Sequence, residues 1–316
     1  MIKYVLQRIG AMLLTLFLVM VLSFMIIRLM PMSIFENPEV SPEIQYKLEE
    51  EMHLHDPIPV QLFYFLKNIV VDFNFGTSVK IKPGVGVFSI IADRIPPTVA
   101  LNFLSLFISI PLGLIAGTAA ALKRNTWMDT VISFMIVLFI SIPSFVFASL
   151  MQYCLTYLWP IFPTLYDATG GIWVQLYSMI LPILALALGP IATIGRYLRG
   201  ELIENLGSEY LLLARTKGLS RTQATVRHAF RNSLVPISNT LIGLLTGIMG
   251  GSLVIEKMFA VPGMGGQLVD SIMAGDHFLT VALLIFYSAI SLVTILIVDL
   301  SYGIIDPRIR VGGGNK

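Results

Sequence analysis

Charge is scarce in this sequence. Of its 316 residues, 13% are Asp, Glu, Lys or Arg, against 56% hydrophobic. An average soluble domain carries about 25% charged residues, so much of this apolar surface must face something other than water. Cysteine is nearly missing as well. Cys154 is the single thiol, which excludes an internal disulfide and a cysteine metal site. A phosphate-binding loop needs Gly-Lys followed by Ser or Thr. None of the nine lysines follows a glycine, and none precedes Ser or Thr. The chain is therefore not expected to hydrolyse ATP by itself. Catalytic constellations are equally thin: His53 and His55, two apart, fit no helical ligand spacing, and Asp270 and Asp276 show no matching partner. The formal net charge of +2 by itself says nothing about nucleic-acid or acidic partners, and the placement of the charges matters more; no nucleic-acid partner is expected.

What is present is hydrophobic length. Mean hydropathy is +0.82, and a membrane-spanning helix needs about 20 mostly apolar residues. Six stretches qualify: Ile9–Met30, Pro97–Leu122, Val131–Trp159, Val174–Leu198, Val235–Met258 and Thr280–Ile304. The first is longer than the apolar core of a signal peptide and lacks a small-residue cleavage site, so it is expected to stay as a span. Pro111, Pro143, Pro182, Gly189-Pro190 and the Gly243/Gly247/Gly251 series interrupt the spans. Such residues suit kinked helices packed around something, although they are also common in membrane helices generally. The pairs Gly113/Gly117, Gly243/Gly247 and Gly247/Gly251 allow close helix approach, within the chain or against a second one.

The stretch Ile58–Phe75 is apolar, but Lys67, Asn68 and Asp72 interrupt it. A charge at mid-span costs about 2.5–3.5 kcal/mol, so it reads as an external or interfacial helix. With six spans and a cytoplasmic amino terminus, 14 of the 21 basic residues fall inside and 13 of the 19 acids fall outside. Basic residues of short loops stay in the cytoplasm, so both termini are expected there. The resulting architecture is an all-α integral membrane protein of about six transmembrane helices. Residues 1–30 carry the first span, and 31–96 form an external segment with short helices. Residues 97–306 hold a five-helix core with a cytoplasmic loop at 196–236, and 307–316 form a tail. In the external segment Ser41 is expected to cap a helix opened by Pro42, with Glu43 and Lys47 four apart and Ile44 and Leu48 on one face.

The loop between the fourth and fifth spans, Arg196–Pro236, is long for a connector. Ser208 is placed to cap a helix whose first turn holds Glu209 and which stops at Gly218, a C′ glycine. Ser220 then opens a second helix, with Gln223 completing a capping box, and Pro236 begins the next span. In the second helix Ala224, Arg227, His228 and Arg231 fall on one face by spacing. That face suits lipid headgroups or the docking of a cytoplasmic protein.

The run EYLLLARTKGLSRTQATVRHAFRNSLVP resembles the signature loop of bacterial and archaeal ABC-importer permeases of the oligopeptide, dipeptide and nickel branch. The residues that carry the resemblance are Ala214 through Leu219, Arg227-His228, Arg231-Asn232 and Pro236. Phe75–Ser78 with Arg94-Ile95-Pro96 also agree, as do Val254-Ile255-Glu256 with Phe259 and Pro262-Gly263-Met264-Gly265, and the terminal Asp306–Arg310. Met30-Pro31-Met32-Ser33 departs from the branch, which often has Leu-Pro-Gly-Asp there. The resemblance covers nearly the whole chain.

It implies a type I importer-like permease, multi-pass in the cell membrane of a bacterium or archaeon. The implied machine pairs this chain with a homologous second permease, two ATP-binding subunits and an external substrate-binding protein. ATP and Mg2+ would bind the partner subunits, with no cofactor or metal on this chain, and the substrate would be a short peptide. Nickel chelates or another small solute are the alternatives for the same machinery. The resemblance further implies that the loop residues Glu209, Ala214, Lys217, Gly218, Arg227, His228 and Arg231 couple to the ATPase.

An ion-coupled carrier would place ionisable groups at mid-membrane. Arg28, Glu256, Lys257 and Asp299 instead fall near span ends, where side chains are expected to reach the interface. Ser141, Ser144, Asn239, Thr240 and Thr246 either line a polar path or satisfy kinked backbone.

Overall fold

The computed structural model describes residues 2–29, 42–51, 53 and 55–305. Fourteen α-helices order these residues, and the described part contains no strand, only an isolated bridge between Thr77 and Gly86. In chain order they are α1 (Ile2–Leu29), α2 (Pro42–Glu51), α3 (Ile58–Val70), α4 (Val87–Leu122), α5 (Trp127–Ser141), α6 (Ser144–Gln152) and α7 (Ile172–Ser178). There follow α8 (Ile180–Leu206), α9 (Glu209–Thr216), α10 (Arg221–Ala224), α11 (Arg231–Thr246), α12 (Leu253–Met258), α13 (Met264–Ala274) and α14 (His277–Ile305). The expectations on Ser41, Met30–Ser33, the side chains of Ile44 and Leu48, and Asp306–Arg310 lie outside the described residues.

Among the described residues four helices, α1, α4, α8 and α14, are long and apolar enough to cross a membrane, and α5 with the helical stretch Ser144–Leu158 forms a fifth candidate bent by 102°. The bend falls at Ile142-Pro143, where proline removes a donor and ends α5. The expected span Val235–Met258 is divided. Its first part belongs to α11, a 3-10 turn follows at Gly247–Gly250, and α12 starts afresh at Leu253. Gly251 between them has φ +61, a conformation that suits glycine.

Two boundaries also move. Helix α4 starts at Val87, so Arg94-Ile95-Pro96-Pro97 lies inside a helix that begins ten residues before the expected span. At about 1.5 Å per residue, α4 is far longer than a bilayer core of about 30 Å, so part of it must extend beyond the apolar layer. The expected span from Val174 is split into α7 and α8, and α8 runs on to Leu206.

Helices α4 and α8 form the spine of the bundle. A Cβ at Gly117 would sit 2.7 Å from the Gly195 carbonyl oxygen, and one at Gly113 would sit 2.8 Å from Ile194 Cβ. This glycine pair therefore serves close packing inside the chain. Gly243 meets Val298 at ordinary contact distance and Gly247 meets nothing within 4 Å, so those glycines make no such crossing. Ser109 bridges the same seam, donating to Ser105 O at 2.6 Å and Ala187 O at 3.2 Å. Helix α3 packs beside α1 through Phe65 and Phe24, whose ring centroids are 5.1 Å apart.

Candidate functional site

The loop after α8 is shorter than its sequence suggested. Residues 196–206 continue α8, and 221–246 form one unbroken helix made of α10, a π-helical stretch at Thr225–Phe230 and α11. Pro236 lies inside that helix and does not begin it. What links the two helices is Gly207–Ser220, with α9 at its centre.

Both ends of α9 have defined chemistry. At its amino end Ser208 occupies the N-cap position without capping: its hydroxyl donates to Asn205 O at 2.6 Å. At its carboxyl end Gly218 has φ +94. Its N–H donates to Arg215 O at 3.0 Å, and the Leu219 N–H reaches Ala214 O at 3.3 Å. Those two bonds make a Schellman turn, which satisfies carbonyls the helix would leave free. Leu219 completes it by packing on the cluster that includes Leu211 and Ala214. The next helix opens as expected, with Ser220 and Gln223 capping each other reciprocally at 3.1 and 3.2 Å.

The structure separates the site residues into two sets. Ala214 is 7% exposed and packs with Ala224, Ala229, Leu198 and Leu202 under the loop. Glu209, Lys217, Gly218, Arg227 and Arg231 are exposed, and His228 is half-buried. The expected sharing of one face by Ala224 with Arg227 and Arg231 fails, because Ala224 is fully buried while both arginines are exposed. The π-helical stretch accounts for this. Its wider turn brings Ala229 onto the face of Ala224 and turns Val226 and Arg227 outward.

Beneath the loop, Arg199 of α8 grips Asp129 of α5. Its Nε donates to Oδ1 at 2.7 Å and a terminal nitrogen donates to Oδ2 at 2.9 Å. Asp129 also accepts from Ser133 Oγ at 3.2 Å and from Asn125 N–H at 3.1 Å, where Asn125 takes φ +63. A bidentate guanidinium–carboxylate pair fixes orientation as well as distance. It ties the turn between α4 and α5 to the helix that feeds α9.

At the opposite end of the bundle two acids contradict the sequence reading. Glu256 is fully buried and does not reach an interface, and Asp276 is fully buried and does not lie solvated. Asp276 caps α14, accepting from Leu279 N–H at 3.4 Å, and holds the N–H groups of Lys80 and Ile81 at 3.1 Å each along with the Ser78 hydroxyl. Asp270 pairs with Lys257, His53 with Asp56 at 2.9 Å, and His55 with Glu49 at 3.3 Å. The glycines clustered after Glu256, at 263, 265 and 266, were the available signal, since small residues admit a buried side chain.

Of the polar span residues, Thr246 donates to Ile242 O at 2.8 Å and Asn239 accepts from Ser301 at 3.1 Å, so both serve helix contacts. Ser144 instead lines a cavity of about 280 Å3 at the α5–α6 elbow, with Phe139, Pro143, Phe147, Gly189 and Thr193.

Comparison with known proteins agrees with this architecture. Residues 109–311 match the family described as "Binding-protein-dependent transport system inner membrane component", and residues 1–102 match "Binding-prot-dependent transport system membrane comp, N-term". The dipeptide transport system permease protein DppB of Lactococcus lactis subsp. cremoris is 39% identical over 312 residues, covering 98% of this chain and 100% of that protein. The oligopeptide transport system permease protein OppB of Escherichia coli K12 is 36% identical over 313 residues, with 98% and 100% coverage. Among solved structures, the inward-facing MetNI methionine ABC transporter aligns at TM-score 0.56 and 15% identity, over 69% of this chain and 97% of that one. At that identity the match speaks for the fold alone. The chain belongs to the inner-membrane component family of binding-protein-dependent transport systems, and it is a multi-pass membrane permease of the ABC-importer type.

Proposed function

We propose that this chain, together with a homologous second permease, forms the translocation path for short peptides in an ATP-driven importer. Two ATP-binding subunits would drive it and an external binding protein would deliver the substrate. The peptide reading is supported by the names of the relatives similar over their whole length. The observation that carries the mechanical reading is the Gly207–Ser220 segment. Its underside is built into the bundle core, while Lys217, Arg227 and Arg231 stay exposed around it.

A docked ATPase that pulls on α9 would act through the Schellman turn on the helix running from Arg221 to Thr246. The same pull would reach α8, which is gripped to α5 by the Asp129–Arg199 pair. Both termini and this segment lie in the cytoplasm in this reading, in keeping with the basic bias of the inner loops. ATP and Mg2+ stay on the partner subunits.

The test is uptake of labelled di- and oligopeptides by proteoliposomes holding the four-subunit complex with its binding protein. ATP-dependent accumulation is expected, and Arg227→Glu is expected to weaken ATPase docking in a salt-dependent way. ATP hydrolysis by the isolated chain, or import of another solute with peptide excluded, would sink the proposal.

A further inference from the structure

Glu256 has no cation beside it among the described residues, yet both carboxylate oxygens are fully engaged. Oε1 accepts from the Thr98 hydroxyl at 3.0 Å and from Ser252 N–H at 3.4 Å. Oε2 accepts from Gly265 N–H at 2.7 Å and Gly266 N–H at 3.3 Å. The Thr98 hydroxyl in turn accepts from Met264 N–H at 2.8 Å, which leaves its own proton for Glu256. A carboxylate offers about four acceptor positions, and here all are filled.

The surroundings admit no substitute. A Cβ at Gly251 would sit 2.6 Å from Oε1, one at Gly265 would sit 2.9 Å from Oε2, and one at Gly263 would overlap the carboxylate outright. Three separate segments therefore meet on one side chain: α4 at Thr98, the break before α12, and the start of α13.

This knot lies in the segment between α11 and α14. Helix α11 ends at Thr246, and beyond the Gly247–Gly250 turn the chain doubles through α12 and α13 before α14 returns. Ile255 of α12 and Phe259 just after it are fully buried in one cluster with Leu101 of α4, Ala148 of α6, and Leu181 and Ala185 of α8. On the other side, Met264 and Leu268 of α13 pack against Val87 and Ile90 of α4 and Leu279 and Leu283 of α14. Asp276 pins the far end of α13 to the loop at Ser78. The α12–α13 pair thus crosses the end of the bundle opposite α9, fastened to α4 through Glu256 and Thr98 and to the loop before α4 through Asp276 and Ser78.

Resting on the reading of this chain as a transport permease, we propose that Glu256 is the positioning residue of the closure at this end of the path. It locks α12–α13 to α4 as one rigid body, so that the path stays sealed until the assembled machine moves that body as a whole. Breaking the lock piecemeal would strand four donors and a charge in an apolar interior, which disfavours local opening.

Glu256→Gln places an amide NH2 among N–H donors, and Thr98→Val removes only the hydroxyl, while Thr98→Ser keeps it. The test is passive efflux of entrapped labelled dipeptide, without ATP, from proteoliposomes of the assembled complex, normalised to complex incorporated. Efflux is expected to rise about tenfold in Glu256→Gln and Thr98→Val, and to match the native complex in Thr98→Ser. Uptake per ATP hydrolysed should fall in the two leaky variants. If Glu256→Gln fails to assemble, Thr98→Val decides. Native-like efflux and unchanged uptake per complex in the assembled variants would reduce Glu256 to a folding element and overturn the inference. Efflux is scored apart from uptake, so a native complex that imports no peptide would sink the functional reading while the leak comparison still decides this one.

Discussion

Ala224 and Ala229, five residues apart, are both fully buried in the same cluster beneath α9. In a regular α-helix residues at that spacing point in different directions. The π-helical stretch at Thr225–Phe230 brings them together, and π-bulges are often found where function demands an irregular helix. Both alanines are fully buried in the cluster that holds Leu198 and Leu202, so a larger side chain at either position is expected to crowd it. Ala229→Leu is expected to destabilise the purified chain by about 1–3 kcal/mol through overpacking. Val226→Leu, at an exposed site, should be near neutral. Thermal unfolding followed by fluorescence size exclusion would compare the two, and equal melting of both variants would refute the packing argument.

The Gly218 prediction separates strain from collision. Nothing lies within 4 Å of a Cβ built there, so any penalty comes from φ +94 alone. Gly218→Val should cost about 1–2 kcal/mol locally and redirect Leu219 and the helix that Ser220 opens. Gly218→Asn should be milder, because asparagine tolerates positive φ. Peptide uptake at matched membrane levels should rank native, Asn, Val in falling order. Native-like uptake by the Val variant would remove this loop from the transmission path.

Removing one partner of the Asp129–Arg199 pair leaves the other with part of its charge inside protein. Asp129 keeps 7% of its side chain exposed and Arg199 31%. Loss of a buried partner costs about 3–5 kcal/mol; Arg199→Met strands the more buried carboxylate, whereas the Asp129 variants leave an arginine already 31% exposed and fall at the lower end. Asp129→Asn should cost less than Asp129→Ala, since the amide still accepts from Asn125 N–H. A double-mutant cycle of Asp129→Asn with Arg199→Met should show the single losses failing to add. Simple additivity would mean the two side chains do not communicate.

Topology can be read with single cysteines in a Cys154→Ser background. A cysteine at Ser220 should resist a membrane-impermeant thiol reagent in intact cells and react after permeabilisation. One at Glu50, in exposed α2, should react from outside. The reverse pattern would invert the orientation drawn from the basic residues.

Apolar length, the bias of the basic residues, the Ser220–Gln223 capping box and the turn at Gly218 were all legible in the sequence. Each depends on residues close together in the chain and on the bilayer or the backbone as partner. Where helices break and where buried charge is satisfied were decided only by tertiary structure. The fifth apolar stretch is long enough to span, yet α11 stops at Thr246, because α12 and α13 are tied back to α4 through Glu256 and Thr98. Asp276 and Glu256 read as solvated or interfacial acids, since an isolated carboxylate belongs in water. Their partners lie as far away as Ser78 and Thr98, and such distant backbone and hydroxyl donors meet only when the bundle closes. The register of Ala224 and Ala229 follows the same rule. A one-residue π insertion leaves no mark on local propensity, and the packing of α8 under α9 is what selects it.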